Sequence, residues 1–279
     1  DDLSEASKAA ARYLKAKVLL NRHVYENQLT GGGGAPAAAD MQEVVNLVDA
    51  IAADGFALEE GSYFEIFEPE ADTETIWFAD AANTGNRIFN GLHYNSTSLG
   101  GGGWNGFSTL AEFYDLFEGD ANENALTGDL LSDPASGQEL RRGGVPNVGI
   151  ETSPGEYEEG SNVGKGFLIG QQYGLEPDSP LEDRQGNPLV FSREFVDGDG
   201  NPSLINNSER TGIRVQKYQA RIGGGFQNHV IFFRYADAHL MKAEAIFRGA
   251  SGDAVAVLHA VRLPREIDEL GSLTKQDLL

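Results

Sequence analysis

Hydrophobic residues recur at helical spacing near both ends of the chain and lose that spacing in between. Over residues 3–22, Ala6, Ala10, Leu14 and Val18 return every four residues beside Tyr13 and Leu20. This pattern predicts an amphipathic helix, with Asp2 and Glu5 as its cap pair. Small alanines on the stripe let a neighbouring helix come close. The run Gly31-Gly32-Gly33-Gly34 then reads as a flexible loop. A second helix is expected over residues 41–53, with Asp40 and Glu43 as a capping box and Met41, Val44, Val48 and Ile51 as its stripe. Gly55 stops it. Two such helices in succession make an αα-hairpin.

A second pair is expected near the other end. Over residues 233–248, Ala236, Leu240, Ala243 and Phe247 are helically spaced, and Gly249 ends the run. Asp253 caps a following helix that carries Ala254, Val257, Leu258 and Val261 and ends before Pro264. The pairs resemble tetratricopeptide units, although their separation is too long for an uninterrupted array. Between them, residues 57–229 are rich in Gly, Asn, Asp and Pro. Strands are expected at residues 75–78 and 212–218, and a short helix at 109–117 with Leu110, Phe113, Tyr114 and Phe117 on one side. The rest reads as loop, which points to a functional surface. The expected fold is therefore mainly α: tetratricopeptide-like helix pairs with a large loop-rich region containing short β-strands.

Composition narrows the chemistry. The 279 residues include 43 Asp and Glu against 21 Lys and Arg, a formal charge of −22, and no Cys. The absence of cysteine excludes disulfides, thiolate-bound metals and a thiol nucleophile. The charge argues against nucleic acid and anionic membrane surfaces as partners. No apolar run is long enough to span a bilayer. The chain opens on Asp1 without a leader, and residues 273–279 read as the start of another helix capped by Thr274. An interior piece of a longer protein is expected.

The segment Phe233-Arg234-Tyr235-Ala236-Asp237-Ala238-His239-Leu240-Met241-Lys242-Ala243-Glu244-Ala245 resembles the "RYADvlLmyAEA" helix of the SusD/RagB outer-membrane nutrient-binding lipoproteins. Residues 257–262 follow as that family's "LNxVR" helix does, with His259 where Asn is usual. Residues 9–21 resemble its "AkalLAkvYLn" helix, residues 73–78 its "nkEvIf" strand, and residues 212–218 its "gyrvxKy" strand. The matches fall in the family's order and cover nearly the whole chain, which is read as one SusD-like domain over residues 1–279. The family's lipid-bearing N-terminus is absent. Its Asp-x-Arg element after residue 120 has no Arg in Ala121-Asn122-Glu123-Asn124.

The resemblance implies a non-catalytic binder of oligo- or polysaccharides on the outer face of the outer membrane. It would be lipid-anchored through a segment absent here and partnered by a SusC-like TonB-dependent transporter barrel. Two other classes stand beside it. A helical-repeat adaptor for a peptide or protein would show a continuous apolar groove, and a hydrolase would lose turnover when one carboxylate or Ser is changed.

Candidate contacts follow from the chemistry of sugars, whose C–H faces stack on aromatic rings and whose hydroxyls pair with amides and imidazoles. Gly100-Gly101-Gly102-Gly103-Trp104-Asn105-Gly106-Phe107 presents a Trp with no periodic partner, and Asn90, His93, Tyr94 and Asn95 lie nearby in sequence. Ligand binding is assigned to Trp104, Asn105, Tyr94, Asn95 and His93; the other reading of Trp104 is a plug in a satellite core. Trp77 is assigned to the core. Arg234, Asp237 and Glu244 read as scaffold ion pairs and caps. Asp197-Gly198-Asp199-Gly200-Asn201 resembles a calcium loop, but Pro202 takes the required Gly position and Ser208 replaces the bidentate Glu. It reads as a hairpin turn, and no cofactor or metal is predicted. Residues 160–166 lack the length and the Ser/Thr of a phosphate loop. The five histidines show no metal-ligand spacing, and Glu59, Glu60, Glu65, Glu68 and Glu70 read as a solvated acidic face.

Overall fold

The computed structural model describes residues 2–30, 34–60, 63–67, 72–79, 93–95, 103–119, 139–144, 151–153, 156–157, 165–172, 180–205, 207–217, 230–265, 267–268, 270–272 and 274. Asn90, residues 121–124 and 160–164, Glu68, Glu70 and most of the helix expected at 273–279 lie outside them. In chain order the elements are α1 (Lys8–Thr30), α2 (Ala38–Ala53), β1 (Thr75–Ala79), a single turn α3 (Ala111–Tyr114), β2 (Gly143–Gly144), β3 (Glu151–Ser153), β4 (Glu156–Tyr157), β5 (Lys165–Leu168), β6 (Gly170–Gln171), β7 (Val190–Phe191), β8 (Arg214–Gln216), β9 (Val230–Arg234), α4 (Tyr235–Phe247) and α5 (Ala254–Arg262). The mainly helical class with short strands is as the sequence predicts. The chain resolves into two compact units: residues 1–61, 70–80 and 229–279, and residues 62–69 and 81–228.

The first unit is helical. Its helices pack α1 on α2, α2 on α4 and α4 on α5. The core joins Ala9, Ala10, Tyr13, Ala16 and Leu20 of α1 to Met41, Val44, Val48 and Ile51 of α2 and to Tyr235, Ala238, Met241 and Ala245 of α4. The stripe predicted for α2 is the one buried. That predicted for α1 is buried only in part: Ala10, Tyr13 and Leu20 are in the core, whereas Leu14 and Val18 are each 53% exposed. Residues four apart advance by about 40° beyond a full turn, so a run of four-residue steps drifts off one face. The buried series alternates steps of three and four, which holds it in line. In α4, Leu240 and Phe247 of the predicted stripe face outward, while Ala236 and Ala243 are buried.

The helix starts also differ from expectation. In α1 the cap is Ser7, whose Oγ accepts the Ala10 N–H at 3.1 Å. Asp2 instead takes the backbone N–H of Ser4 at 2.9 Å. The expected box at α2 does not form: Ala37 precedes the helix with no side-chain cap. Asp40 pairs with Arg22 at 2.8 Å and Glu43 with Lys15 at 2.7 Å, so both carboxylates serve the α1–α2 contact. Asp253 does cap α5, its Oδ1 accepting the Ala256 N–H at 3.1 Å. Gly55, at φ +104°, follows α2 in the left-handed region where a glycine carries no penalty.

Residues 230–234 are strand, not helix. They form β9, which runs antiparallel to β1, so α4 begins two residues later than predicted. At this junction Glu74 is fully buried. Its carbonyl accepts the Tyr235 N–H at 2.7 Å, and its Oε1 accepts from Arg265 Nη2 at 2.7 Å and from the Glu59 N–H at 3.0 Å. Arg234 Nε stands 3.5 Å from Oε2. Asp237 takes the Tyr13 hydroxyl and lies 3.3 Å from Lys17, while Glu244 pairs with Arg248. The charges of this segment are thus scaffold ties, as read from the sequence. Trp77 packs between Phe232 and Phe233 and donates to the Ser4 carbonyl at 3.2 Å. His239 Nε2 meets the Val257 carbonyl at 2.9 Å, and His259 Nε2 accepts the Leu270 N–H at 2.7 Å.

The second unit carries more strand than the sequence predicts. β2, β5 and β8 form an antiparallel three-stranded sheet, and β3–β4 and β6–β7 form separate pairs. Strands of two to four residues are too short for an alternating pattern to register. The helix expected at 109–117 shrinks to α3, because Thr109 bridges Ile213 instead of entering a helix. Tyr114 is buried with Phe167, Ile169 and Ile213, and a smaller cluster joins Leu168, Leu189 and Phe191.

Candidate ligand-binding site

Two short segments, 93–95 and 103–107, are tied together by their backbones. The Gly103 N–H donates to the His93 carbonyl at 2.9 Å, which places Trp104 and Tyr94 each one residue from a shared hydrogen bond. Trp104 is 57% exposed and Tyr94 37%, whereas His93 and Gly103 are buried. Phe107 is also exposed. Trp104 therefore does not plug a core.

His93 is an anchor in this segment. Its Nδ1 accepts the Asn95 N–H at 3.1 Å, which leaves the proton of the neutral ring on Nε2, 3.4 Å from Glu209 Oε1. Burial lowers its pKa, the nearby Arg214 and Arg184 lower it further, and the Glu209 carboxylate opposes them without prevailing. The imidazole is consequently neutral at pH 7. Asn95 spends its Nδ2 on the Glu182 carbonyl at 2.8 Å. Asn105 stands at φ +49° and accepts from Arg214 Nη2 at 2.7 Å. A side-chain oxygen that takes a charged donor helps hold a non-glycine residue in this region.

Three residues that the sequence reading passes over organise the surface. Arg184 lies with its guanidinium carbon 4.0 Å from the centre of the Tyr94 ring. Its Nε donates to Glu209 Oε2 at 2.6 Å and its backbone N–H to Oε1 at 2.8 Å. Burial pushes the Glu209 pKa up, but the Arg184 bonds, backbone first, outweigh it and hold the carboxylate ionised below its usual range. Arg214 is buried, stacks 4.6 Å over Phe191, and donates to the carbonyls of Thr211 at 2.6 Å, Gly212 at 2.7 Å and Glu209 at 3.1 Å. Desolvation pushes its pKa down to about 10, so it stays charged at pH 7. The only sequence trace of this arrangement is Arg214, between Ile213 and Val215 in the strand expected at 212–218; Arg184 and Glu209 leave none, being far from Tyr94 along the chain.

The turn at 197–201 is closed on itself. Asp197 Oδ1 accepts the N–H groups of Asp199 at 3.0 Å and Asn201 at 2.9 Å, and the flanks bridge Val196 to Pro202 and Asp197 to Asn207. These bonds, with Asn201 foremost, hold the carboxyl pKa below its usual value. The geometry is that of a hairpin turn.

Solved structures place this architecture. A SusD-like protein from Bacteroides fragilis superposes with a TM-score of 0.55 at 19% identity, covering 99% of this chain and 50% of that one. The fold is SusD-like. Surface glycan-binding protein A from Bacteroides thetaiotaomicron, solved in complex with laminarihexaose, gives 0.53 at 15% identity over 99% of this chain and 51% of that one. A structure determined with xylogluco-oligosaccharide gives 0.57 at 17% identity, covering 100% of this chain and 48% of that one. The chain thus spans about half the length of these SusD-like structures. No protein-family model and no curated protein sequence matches it.

Proposed function

We propose that residues 1–279 act as one SusD-like domain that binds oligo- or polysaccharide without turnover at the cell surface and passes it to a TonB-dependent transporter barrel. The observation that carries this reading is the paired exposure of Trp104 and Tyr94 beside the His93–Gly103 hydrogen bond. Two aromatic faces on a loop surface fixed from beneath suit sugar rings, which stack by their C–H faces and need little from the protein in motion. Two neighbours of the same fold were solved with xylogluco-oligosaccharide and with laminarihexaose. Trp104 and Tyr94 are the platforms, and His93, Asn95 and Asn105 hold them in place through bonds already made to protein.

Calorimetric titration of the full chain with a panel of soluble glycans tests this. One glycan is expected to bind saturably, and Trp104→Ala to weaken it by about tenfold, the equivalent of about 1.4 kcal/mol. Far-UV circular dichroism should be unchanged in the variant. Silence across the panel from the folded wild type, or equal binding by Trp104→Ala, overturns the assignment.

A further inference from the structure

Around Tyr94 three arginines, Arg184, Arg210 and Arg214, stand with three carboxylates, Glu182, Asp183 and Glu209, and what distinguishes them is which donors remain open. Arg184 and Arg214 both act on the His93 ring, with Glu209 as the carboxylate between them and the ring itself neutral. Asp183 and Arg210 pair with each other at 3.3 Å. The Glu182 carboxylate lies against the 183–187 turn, where a Cβ added to Gly186 would stand 3.9 Å from its Oε2. Arg214 has no carboxylate partner among the described residues, and all four of its bonds go to neutral oxygens. Arg214 is 3% exposed, so its charge lies behind His93 and Asn105 and not at a ligand.

Arg184 is the arginine of this group that reaches furthest into solvent. Its side chain is 53% exposed, and only Nε is spent on Glu209. Among the described residues neither Nη1 nor Nη2 donates to any acceptor. The guanidinium is held between the Tyr94 ring, 4.0 Å away, and Glu209, which takes Nε, so its position is fixed before any ligand arrives. A planar fork of two N–H donors matches a carboxylate in bidentate fashion. The net charge of −22 does not forbid an anion here. At physiological salt the Debye length is about 8 Å, so remote carboxylates are screened and the two Nη groups that Glu209 does not take decide.

We infer that the Tyr94 subsite takes a carboxylate-bearing sugar, a uronic acid residue, with Arg184 as the group that selects it. This deepens the glycan reading above and rests on it. The test is binding of the full chain, at 0.15 M salt (about physiological), to oligogalacturonate, to the same oligosaccharide fully methyl-esterified, and to laminarihexaose. The acid should bind at least about tenfold more tightly than its ester, which differs only by a charge and a methyl group on each sugar. Arg184→Gln should bring the acid down to the level of the ester, and Arg184→Lys, which keeps the charge without the fork, should fall between. Equal binding of acid and ester, or binding of laminarihexaose alone, overturns the uronate inference and leaves the glycan reading standing. No binding of any of the three overturns the uronate inference, and the glycan reading then falls only if the wider panel is silent as well. Should Arg184→Gln fail to fold, the wild-type comparison of acid with ester still decides.

Discussion

Glu74 Oε1 and Arg265 Nη2 meet at 2.7 Å with both side chains buried, on segments separated by most of the chain. The pair sits where β1, β9 and α4 converge, and Glu74 also takes the Glu59 N–H. Removing one partner strands the other charge away from water. Glu74→Ala is expected to cost about 3–5 kcal/mol, and Glu74→Leu with Arg265→Met to recover much of it. Urea unfolding of the three proteins reads this directly; a single-variant loss under about 1 kcal/mol would show that the pair is solvated.

The two candidate faces of α1 make a second contrast. Ala16 is buried against α2 and α4, while Leu14 points to solvent. Ala16→Leu overfills the contact and should lose about 1–3 kcal/mol. Leu14→Ser should stay within about 0.5 kcal/mol. Thermal denaturation of both variants, monitored by circular dichroism, separates the helical register found here from the four-residue stripe that the sequence predicts.

At Asn105 backbone and side chain are used together. Asn105→Gly keeps the positive φ but removes an acceptor from a buried guanidinium, for an expected loss of about 1.5–3 kcal/mol. Asn105→Val adds backbone strain of about 1–3 kcal/mol to the same loss. The denaturant midpoints should therefore fall in the order wild type, Gly, Val. Reversal of the last two would remove the strain argument.

His93 gives the fold a dependence on mild acid. Its pKa is depressed in the native state by burial, with Arg214 and Arg184 adding to the shift, so below about pH 6.5 the unfolded chain binds more protons than the native one. Stability contributed by keeping the ring neutral is present above that pH and is lost as pH falls toward the native pKa. His239 shifts the same way, chiefly through burial, and acts in the same window. The unfolding free energy should drop between about pH 7 and pH 5. His93→Gln should be less stable at pH 7 but have a shallower slope, measurable by urea titration at a series of pH values. An unchanged slope would place the proton uptake elsewhere.

Much of the helical unit was legible because its cores repeat. Met41, Val44, Val48 and Ile51 announce α2 by spacing alone, and Asp253 announces the start of α5. Where two stripes compete on one helix, as in α1 and α4, periodicity gives the helix and leaves its rotation to the partner that arrives from elsewhere in the chain. β9 was hidden for a related reason: Phe233 and Arg234 continue the helical pattern, and only pairing with Thr75–Ala79 makes them strand. At the candidate site the exposed aromatics were visible as residues without periodic partners. Their supports were not, since Arg184, Glu209 and Arg214 reach them across long stretches of sequence and through hydrogen bonds that no local pattern encodes.

The pairing of β1 with β9 has a consequence for how such a chain can change. The long excursion between Ala79 and Val230 leaves and re-enters the helical unit through adjacent antiparallel strands. Its ends are therefore clamped by a ladder that belongs to the scaffold. The entropy of closing an excursion grows only with the logarithm of its length, about 0.6 kcal/mol for each doubling. Changes in the length of the loops of that excursion therefore cost the β1–β9 closure little. The clamp lets the sequence between the two strands diverge while β1, β9 and the helices they pack with are inherited intact.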